Sequence, residues 1–282
     1  MCSRRNYTLL RPTLYVELQA LKTVLSNVEL LGVDVGFSKV QKSTGIAFVR
    51  GDDLTVYRAN STEVERKRLI PEGFSPSVTA FDGPLIPTGA DPLTVRLCEK
   101  FFSRGLFSRR CKPGLSHFGT GLALREATTE ASRQFSVYKS RTIEAFPNLF
   151  LGVMVREEDY NRIPALRRGQ KFDWLYDHAY EKIMFLRGYM KLPEHVFKRI
   201  VAEKDHEMRA ALICLLTAAL EDAGTAIKAG NDDGGWFWLP PIELWEKWAL
   251  NAASHNLDEM AEGTGIQPVR VLPRLLPSKQ MP

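Results

Sequence analysis

Three acids stand where a strand or its end should be apolar. Asp34 interrupts the run Leu30-Leu31-Gly32-Val33-Asp34-Val35-Gly36. Asp82 follows Ser77-Val78-Thr79-Ala80-Phe81 and precedes Gly83-Pro84, and Glu144 follows Arg141-Thr142-Ile143 and precedes Ala145-Phe146-Pro147. A carboxylate in an apolar strand needs a cation, hydrogen bonds or a metal, because desolvating an unpaired charge is costly. Ligand sites of α/β sheets lie at the carboxyl ends of strands, where Asp82 and Glu144 fall. If the three strands are neighbours, the carboxylates converge, raise one another's pKa and require a divalent cation between them. An all-oxygen donor set favours Mg²⁺ or Mn²⁺ over zinc. Taken singly, Asp82 before Gly-Pro also suits an Asx-turn, and Glu144 also suits a cap on the helix after it. On the convergent reading, Asp34, Asp82 and Glu144 face one shared site.

Other chemistries are excluded or weaker. His206-Glu207 begins like H-E-x-x-H, but Ala210 fills the last position, so no zincin site forms there. There is no Walker A lysine loop and no G-x-S-x-G elbow. The four cysteines, Cys2, Cys98, Cys111 and Cys214, make no C-x-x-C pair and no zinc-finger spacing, and read as incidental thiols. Basic residues cluster at Arg66-Lys67-Arg68, at Arg104, Arg109, Arg110 and Lys112, and at Arg162, Arg167, Arg168 and Lys171. The second cluster is interleaved with Phe101, Phe102 and Phe107. Aromatics beside arginine can stack bases while the cations bind phosphate, so Arg109, Arg110 and Lys112 are candidate nucleic-acid contacts. The competing reading is a solvated charged face over core phenylalanines.

The elements that must position these residues follow from patterning. Leu30–Gly36, Gly45–Val49 and Leu54–Tyr57 are short apolar runs with short polar connections, which predicts an antiparallel meander. A charged helix over Thr62–Arg68 precedes a fourth strand over Ser77–Phe81, and a fifth strand starts at Arg141. Val95–Phe102 and Leu122–Phe135 have helical spacing, Arg104–Gly121 reads as loop, and Pro147 suits the first turn of a helix running to Met154. Helical-looking sequence runs from Asp159 to Ile200. Glu203–Glu221 carries the clearest helical stripe, at Met208, Ala211, Leu212, Leu215, Ala218 and Ala219. Trp236–Leu239 reads as an edge strand, Glu243–Ala253 as a last helix, and the residues from Gly263 as a loose tail. Leu14, Leu18, Leu21 and Leu25 share a helical face over Thr13–Asn27. Strands of this kind alternating with helices indicate a mixed α/β sheet.

Composition sets the outer bounds. With 282 residues, 44% hydrophobic and 25% charged, the chain is neither a disordered chain, a collagen nor a coiled-coil rod. Its 38 Lys and Arg against 33 Asp and Glu give +5, a mild basic excess compatible with nucleic acid but no argument for it alone. The longest apolar run, Ala210–Leu220, is shorter than the ~20 residues a bilayer needs. No apolar stretch follows Arg4 and Arg5, so no signal peptide is expected, and the expectation is a cytoplasmic protein with no membrane partner.

Taken together, several short motifs also resemble a family. They run in the order Gly32-Val33-Asp34-Val35-Gly36, Thr44-Gly45-Ile46-Ala47, Phe81-Asp82-Gly83-Pro84, Arg96-Leu97-Cys98-Glu99 and Ile143-Glu144-Ala145-Phe146-Pro147. His206-Glu207, Ala211-Leu212-Ile213-Cys214 and Gly234-Gly235-Trp236-Phe237-Trp238-Leu239-Pro240 complete the series. Over Leu30 to Pro241 the chain resembles a family of predicted nucleases with a ribonuclease H-like fold. The resemblance implies one α/β domain over 29–253 with helical and loop insertions, flanked by an N-terminal helical extension, 1–28, and a C-terminal tail, 254–282. It implies a mixed sheet of a three-strand meander plus parallel strands, flanked by helices. It also implies hydrolysis of nucleic-acid phosphodiesters with two Mg²⁺ or Mn²⁺ ions held by Asp34, Asp82, Glu144 and a residue of the late helix. The family places an Asp immediately before Ala-Leu in that helix; here Ala210 stands there, and Glu207, three residues earlier on the same face, is the substitute ligand, with Asp205 behind it. Two other functions stay open: a nucleic-acid-binding module on the same fold that cuts weakly or not at all, and an actin- or sugar-kinase-like phosphotransferase, whose Asp-x-Gly hairpin Asp34-Val35-Gly36 resembles.

Overall fold

The structure, a computed structural model, describes residues 28–87, 89, 94–166 and 169–264. The expected helix over Thr13–Asn27, Cys2, Arg167, Arg168 and residues 265–282 of the expected tail lie outside the described residues.

The apolar, β-branched runs form the strands β1 (Glu29–Asp34), β2 (Thr44–Arg50) and β3 (Asp53–Ala59), an antiparallel meander as expected. A tight turn at Gly51-Asp52, with Gly51 at φ 61°, joins β2 to β3 and pairs Arg50 with Asp53. The helix α1 (Glu63–Arg68) follows, its first turn capped by Thr62. β4 (Val78–Asp82) returns parallel to β1. Three helices, α2 (Leu97–Phe102), α3 (Gly105–Arg110) and α4 (Thr120–Phe135), lead to β5 (Arg141–Ala145), parallel to β4. α5 (Pro147–Gly152) starts on Pro147, whose missing N–H costs nothing in a first turn.

The helical stretch after it comprises α6 (Glu157–Asn161), α7 (Gln170–His178), α8 (Tyr180–Phe185), α9 (Glu194–Ala202) and α10 (His206–Asp222). The hairpin β6 (Ile227–Asn231) and β7 (Gly235–Leu239) precedes α11 (Lys247–Thr264). Among the described residues the seven strands make one mixed sheet, ordered β3-β2-β1-β4-β5-β7-β6, with helices on both faces.

Several expectations are corrected. Gly105–Arg110 is helical rather than loop. β7 is interior, between β5 and β6, and the edge is β6. No strand is expected from the sequence at Ile227-Lys228-Ala229-Gly230-Asn231, because Lys, Ala, Gly and Asn fit a pleated half-buried surface poorly. The last helix runs on to Thr264, into the expected tail.

α10 is the structural centre. Arg209 to Leu220 are all buried, so the helix is enclosed on every side rather than along one stripe. It lies on β1, β2 and β4, and two glycines set its distance from them. A Cβ at Gly32 would fall 2.2 Å from the Leu215 backbone nitrogen, and one at Gly45 would fall 2.0 Å from the Glu207 carbonyl oxygen. Backbone thus rests on backbone, and the first turn of α10 is pressed against the carboxyl end of β1. On the opposite face Leu31, Val33, Ile46, Phe48 and Phe81 pack with Ala131 and Phe135 of α4 in a second, smaller core.

Candidate carboxylate site

Register decides what meets Asp34. Parallel pairing sets it opposite Asp82, antiparallel pairing sets it opposite Gly45, and Gly45 in turn is opposite Arg58. Opposed residues share a face of the sheet. Arg58, Gly45, Asp34 and Asp82 therefore form one row across four strands, on the face that α10 covers. Neighbouring strands are about 4.8 Å apart, so two carboxylates sit side by side with only partial access to solvent.

The first turn of α10 brings two further acids to this row. Asp205 caps the helix, accepting from the Met208 N–H at 3.2 Å. Arg58 reaches up to it, with Nη1 3.2 Å from Asp205 Oδ2 and Nη2 3.4 Å from Glu207 Oε1. Arg58 Nε donates to the Lys42 carbonyl at 2.8 Å, which ties the guanidinium to the β1–β2 connection. Burial pushes the Asp34 carboxyl well above its usual range, and the charges of Asp82, Glu207 and Asp205 push it the same way, while Arg58 opposes them. Burial, and after it the charge of Glu144, raises Asp82 to about 7. These two acids lack the full complement of positive charge that would hold both ionised.

A second cation lies behind the pair. Arg66 of α1 is buried, donating to Gln134 Oε1 at 2.9 Å, to the Gly36 carbonyl at 3.3 Å and to Thr44 Oγ1 at 3.1 Å. Burial lowers its pKa to about 10, and the charge of Asp34 opposes that shift. Thr44 Oγ1 also accepts from the Gly36 N–H, at 3.2 Å. Arg66 therefore holds the chain just beyond Asp34 rather than forming part of a phosphate-binding surface. Its neighbours Lys67 and Arg68 pair with Glu63 and Glu65 of their own helix.

Glu144 does not join the row. It is opposite Phe81, while Asp82 is opposite Ala145, so strand alternation points Glu144 to the other face. Arg96 holds both its oxygens, Nη1 to Oε2 at 2.6 Å and Nη2 to Oε1 at 2.7 Å, and the Leu85 N–H donates to Oε2 at 2.8 Å. Arg96 also binds Glu99 Oε1 at 2.7 Å and lies over the Phe237 ring. The expected convergence of Asp34, Asp82 and Glu144 is thus corrected to a pair. Glu144 is committed to a buried bidentate ion pair, close enough for its charge to reach Asp82 but not presented beside it.

Among the described residues, no group of three or more His, Cys, Asp or Glu side chains stands together as a metal cage. The donor chemistry of the row still suits one hard cation. Mg²⁺ is bound through one or two carboxylates and keeps several waters, and Asp34 and Asp82 offer such a pair, with Glu207 at its edge. It does not suit two cations, because Glu144 is held elsewhere and Ala210 supplies no donor. Ala210 lies one turn before Cys214 on the same helical face. The Cys214 thiol is buried, and burial together with the charges of Asp82 and Asp34 pushes it well above its usual range. His206 turns away, its Nδ1 3.0 Å from Asp173 Oδ2 and its ring on Phe172.

The candidate nucleic-acid contacts divide. Arg110 is corrected: it lies over the rings of Tyr160 and Trp248, at 5.0 and 4.5 Å, and pairs with Glu157 at 2.8 Å. Phe101, Phe102 and Phe107 are fully buried and pack on one another, so none can stack a base. Arg109 and Lys112 are exposed, the first on α3 and the second just past its end, and α3 packs against α11 rather than beside the acid row.

One residue of consequence does not stand out in the sequence, Arg58 as the cation of the row; Arg96 stands in one of the short motifs, but its pairing with Glu144 is not legible there. Counting back from the two-residue turn at Gly51-Asp52 puts Arg58 opposite Gly45, so that signal is present in the hairpin. Among the described residues no helix is long and apolar enough to cross a membrane. No family model, curated protein or solved structure matches the chain.

Proposed function

We propose that the chain is a divalent-cation-dependent phosphodiesterase acting on nucleic acid, on a ribonuclease H-like domain, with a single Mg²⁺ or Mn²⁺ held by Asp34 and Asp82. The observation that carries this reading is the in-register pair itself. Two partly buried carboxylates abut at the carboxyl ends of adjacent parallel strands, with their pKa values pushed up and α10 closing over them. Such a pair is stable when it shares a proton or a cation. The three-strand meander, with Asp34 on its first strand, Asp82 ending the fourth and a late helix across both, supports the ribonuclease H-like part of the reading.

Asp34 and Asp82 would hold the cation, and Glu207 would meet it through water. When bound, the cation would supply Lewis-acid stabilisation of phosphoryl oxygens and a more acidic water. The chain's own groups do the rest. Arg66 fixes the backbone at Gly36, Arg96 and Glu144 fix the loop after Asp82 through the Leu85 N–H, and α10 excludes bulk water from one side of the pair. The test is a cleavage screen of single- and double-stranded DNA and RNA, hybrids and branched junctions with Mg²⁺ or Mn²⁺. Cleavage is expected from the unaltered chain, with a loss of at least ~100-fold in Asp34→Asn. Equal cleavage by the two proteins would defeat the proposal.

A second reading is favoured by Ala210, which puts a methyl group on the helical face that meets the acid pair. In that reading the domain binds nucleic acid and cation but does not cut. Salt-sensitive binding with no product in either metal would select it.

A further inference from the structure

We infer that Arg58 is the site's permanent cation: it takes the electrostatic place of a second metal ion and contacts the substrate phosphate, so the site loads one divalent ion per chain. This rests on the cation-dependent reading of the Asp34–Asp82 pair. Three observations carry it. Arg58 is in the same cross-strand row as the two acids, two strands from Asp34, with the Glu207 backbone seated over the intervening Gly45. The guanidinium is fixed from three directions, by the Lys42 carbonyl, Asp205 and Glu207, so it is already oriented. The hydrogen bonds to Lys42 and Asp205 account for two of the five N–H groups an arginine carries, the Glu207 contact is an ion pair, and the Arg58 side chain is 36% exposed, so donors remain for an incoming anion.

The chemistry follows from charge and shape. A planar guanidinium binds phosphate oxygens bidentately and cannot lose its proton near neutral pH. A second divalent ion beside it would be repelled, and the acids such an ion would need, Glu207 and Asp205, are already bound to Arg58. The ligand class is a nucleic-acid phosphodiester, whose oxygens the Arg58 guanidinium would contact while the acid pair would hold the cation.

The full chain provides the test. Mn²⁺ binding, followed by electron paramagnetic resonance, should give one ion per chain; two ions per chain would overturn the inference. Binding of a fluorescent single-stranded oligonucleotide in Ca²⁺ should weaken about tenfold or more in Arg58→Ala. The slope of log affinity against log salt should fall by about 0.7, the value for a single phosphate that is no longer neutralised. Arg58→Lys should keep the slope, because the charge remains, while giving up part of the affinity, because the fork geometry does not. Melting curves of both variants establish that they are folded. Oligonucleotide binding and salt slope unchanged in Arg58→Ala would overturn the inference alone. An unaltered chain that binds neither Mn²⁺ nor oligonucleotide would overturn it together with the functional reading beneath it.

Discussion

At Asp34 and Asp82 the folded chain holds protons that the unfolded chain would release. Asp82 is raised from 3.8 to about 7 by burial and by Glu144, and Asp34 is raised well above the same starting value. Where the native state binds more protons than the unfolded state, stability falls as pH rises. In a chelator, the melting temperature should therefore decline from about pH 4 to pH 8, and Asp82→Asn should flatten that decline and melt higher at pH 8. A cation competes with those protons, so Mn²⁺ should bind more tightly as pH rises through about 7 and should restore the stability missing there. Calorimetric melting across pH, with and without Mn²⁺, checks the sign; a melting temperature rising with pH in chelator would contradict it. Burial raises the Glu144 carboxyl too, but the Arg96 guanidinium and the Leu85 N–H oppose that shift, and Arg96 and Glu144 form a satisfied pair in which each side chain is 3% exposed. Removing one partner strands a buried charge, so Glu144→Ala should cost about 3–5 kcal/mol, read from denaturant unfolding. A loss below about 1 kcal/mol, the level of an exposed pair, would show that the pair is not buried in solution.

At the scale of elements, the contact between α10 and the meander governs the site. Gly32→Ala or Gly45→Ala drives a methyl group into α10 backbone, 2.2 Å from the Leu215 nitrogen or 2.0 Å from the Glu207 carbonyl. Overpacking of this kind costs about 1–3 kcal/mol or more, and Gly45→Ala should also lift the Asp205–Glu207 turn and weaken Mn²⁺ binding. Mn²⁺ affinity unchanged in a folded Gly45→Ala protein would separate that turn from the site. Ala210→Asp should do the reverse, adding a carboxylate on the face that meets the pair. It should tighten Mn²⁺ by about tenfold, equivalent to ~1.4 kcal/mol, with lower stability in chelator.

Much of this is legible in the sequence, because the meander, β4, β5 and α10 are written in periodicity that local sequence carries. The Asp34–Asp82 pair is legible for the same reason. Glu144 is not, because its direction depends on whether register pairs it with Phe81 or with Asp82, a one-residue difference that composition does not encode. β6 escapes a sequence reading because Lys228, Ala229 and Gly230 have no strand preference of their own and are held by pairing with β7. α3 escapes it because Gly105 and a basic run resemble loop, whereas Phe107, buried among Phe101, Phe102 and Trp248, is what makes it a helix.

At the scale of the whole molecule, the +5 net charge is distributed rather than free. Arg66 and Arg96 are buried, Arg110 is covered by aromatics and Glu157, and Arg58 faces the acid row. A surface reading of total charge therefore overstates what a polyanion meets, and binding should centre on Arg58 rather than on the Arg109–Lys112 segment. Arg109→Ala with Lys112→Ala should leave oligonucleotide affinity within about twofold; a tenfold loss would move the interface to that segment. The expectations about binding depend on whether the acid row takes a metal. The most direct measurement is isothermal titration of Mn²⁺ into the full chain at pH 8, beside Asp34→Asn and Asp82→Asn. One ion per chain, abolished in both variants, is the result expected of a shared carboxylate site. Binding unchanged in both variants, or no Mn²⁺ binding by the unaltered chain, would contradict it.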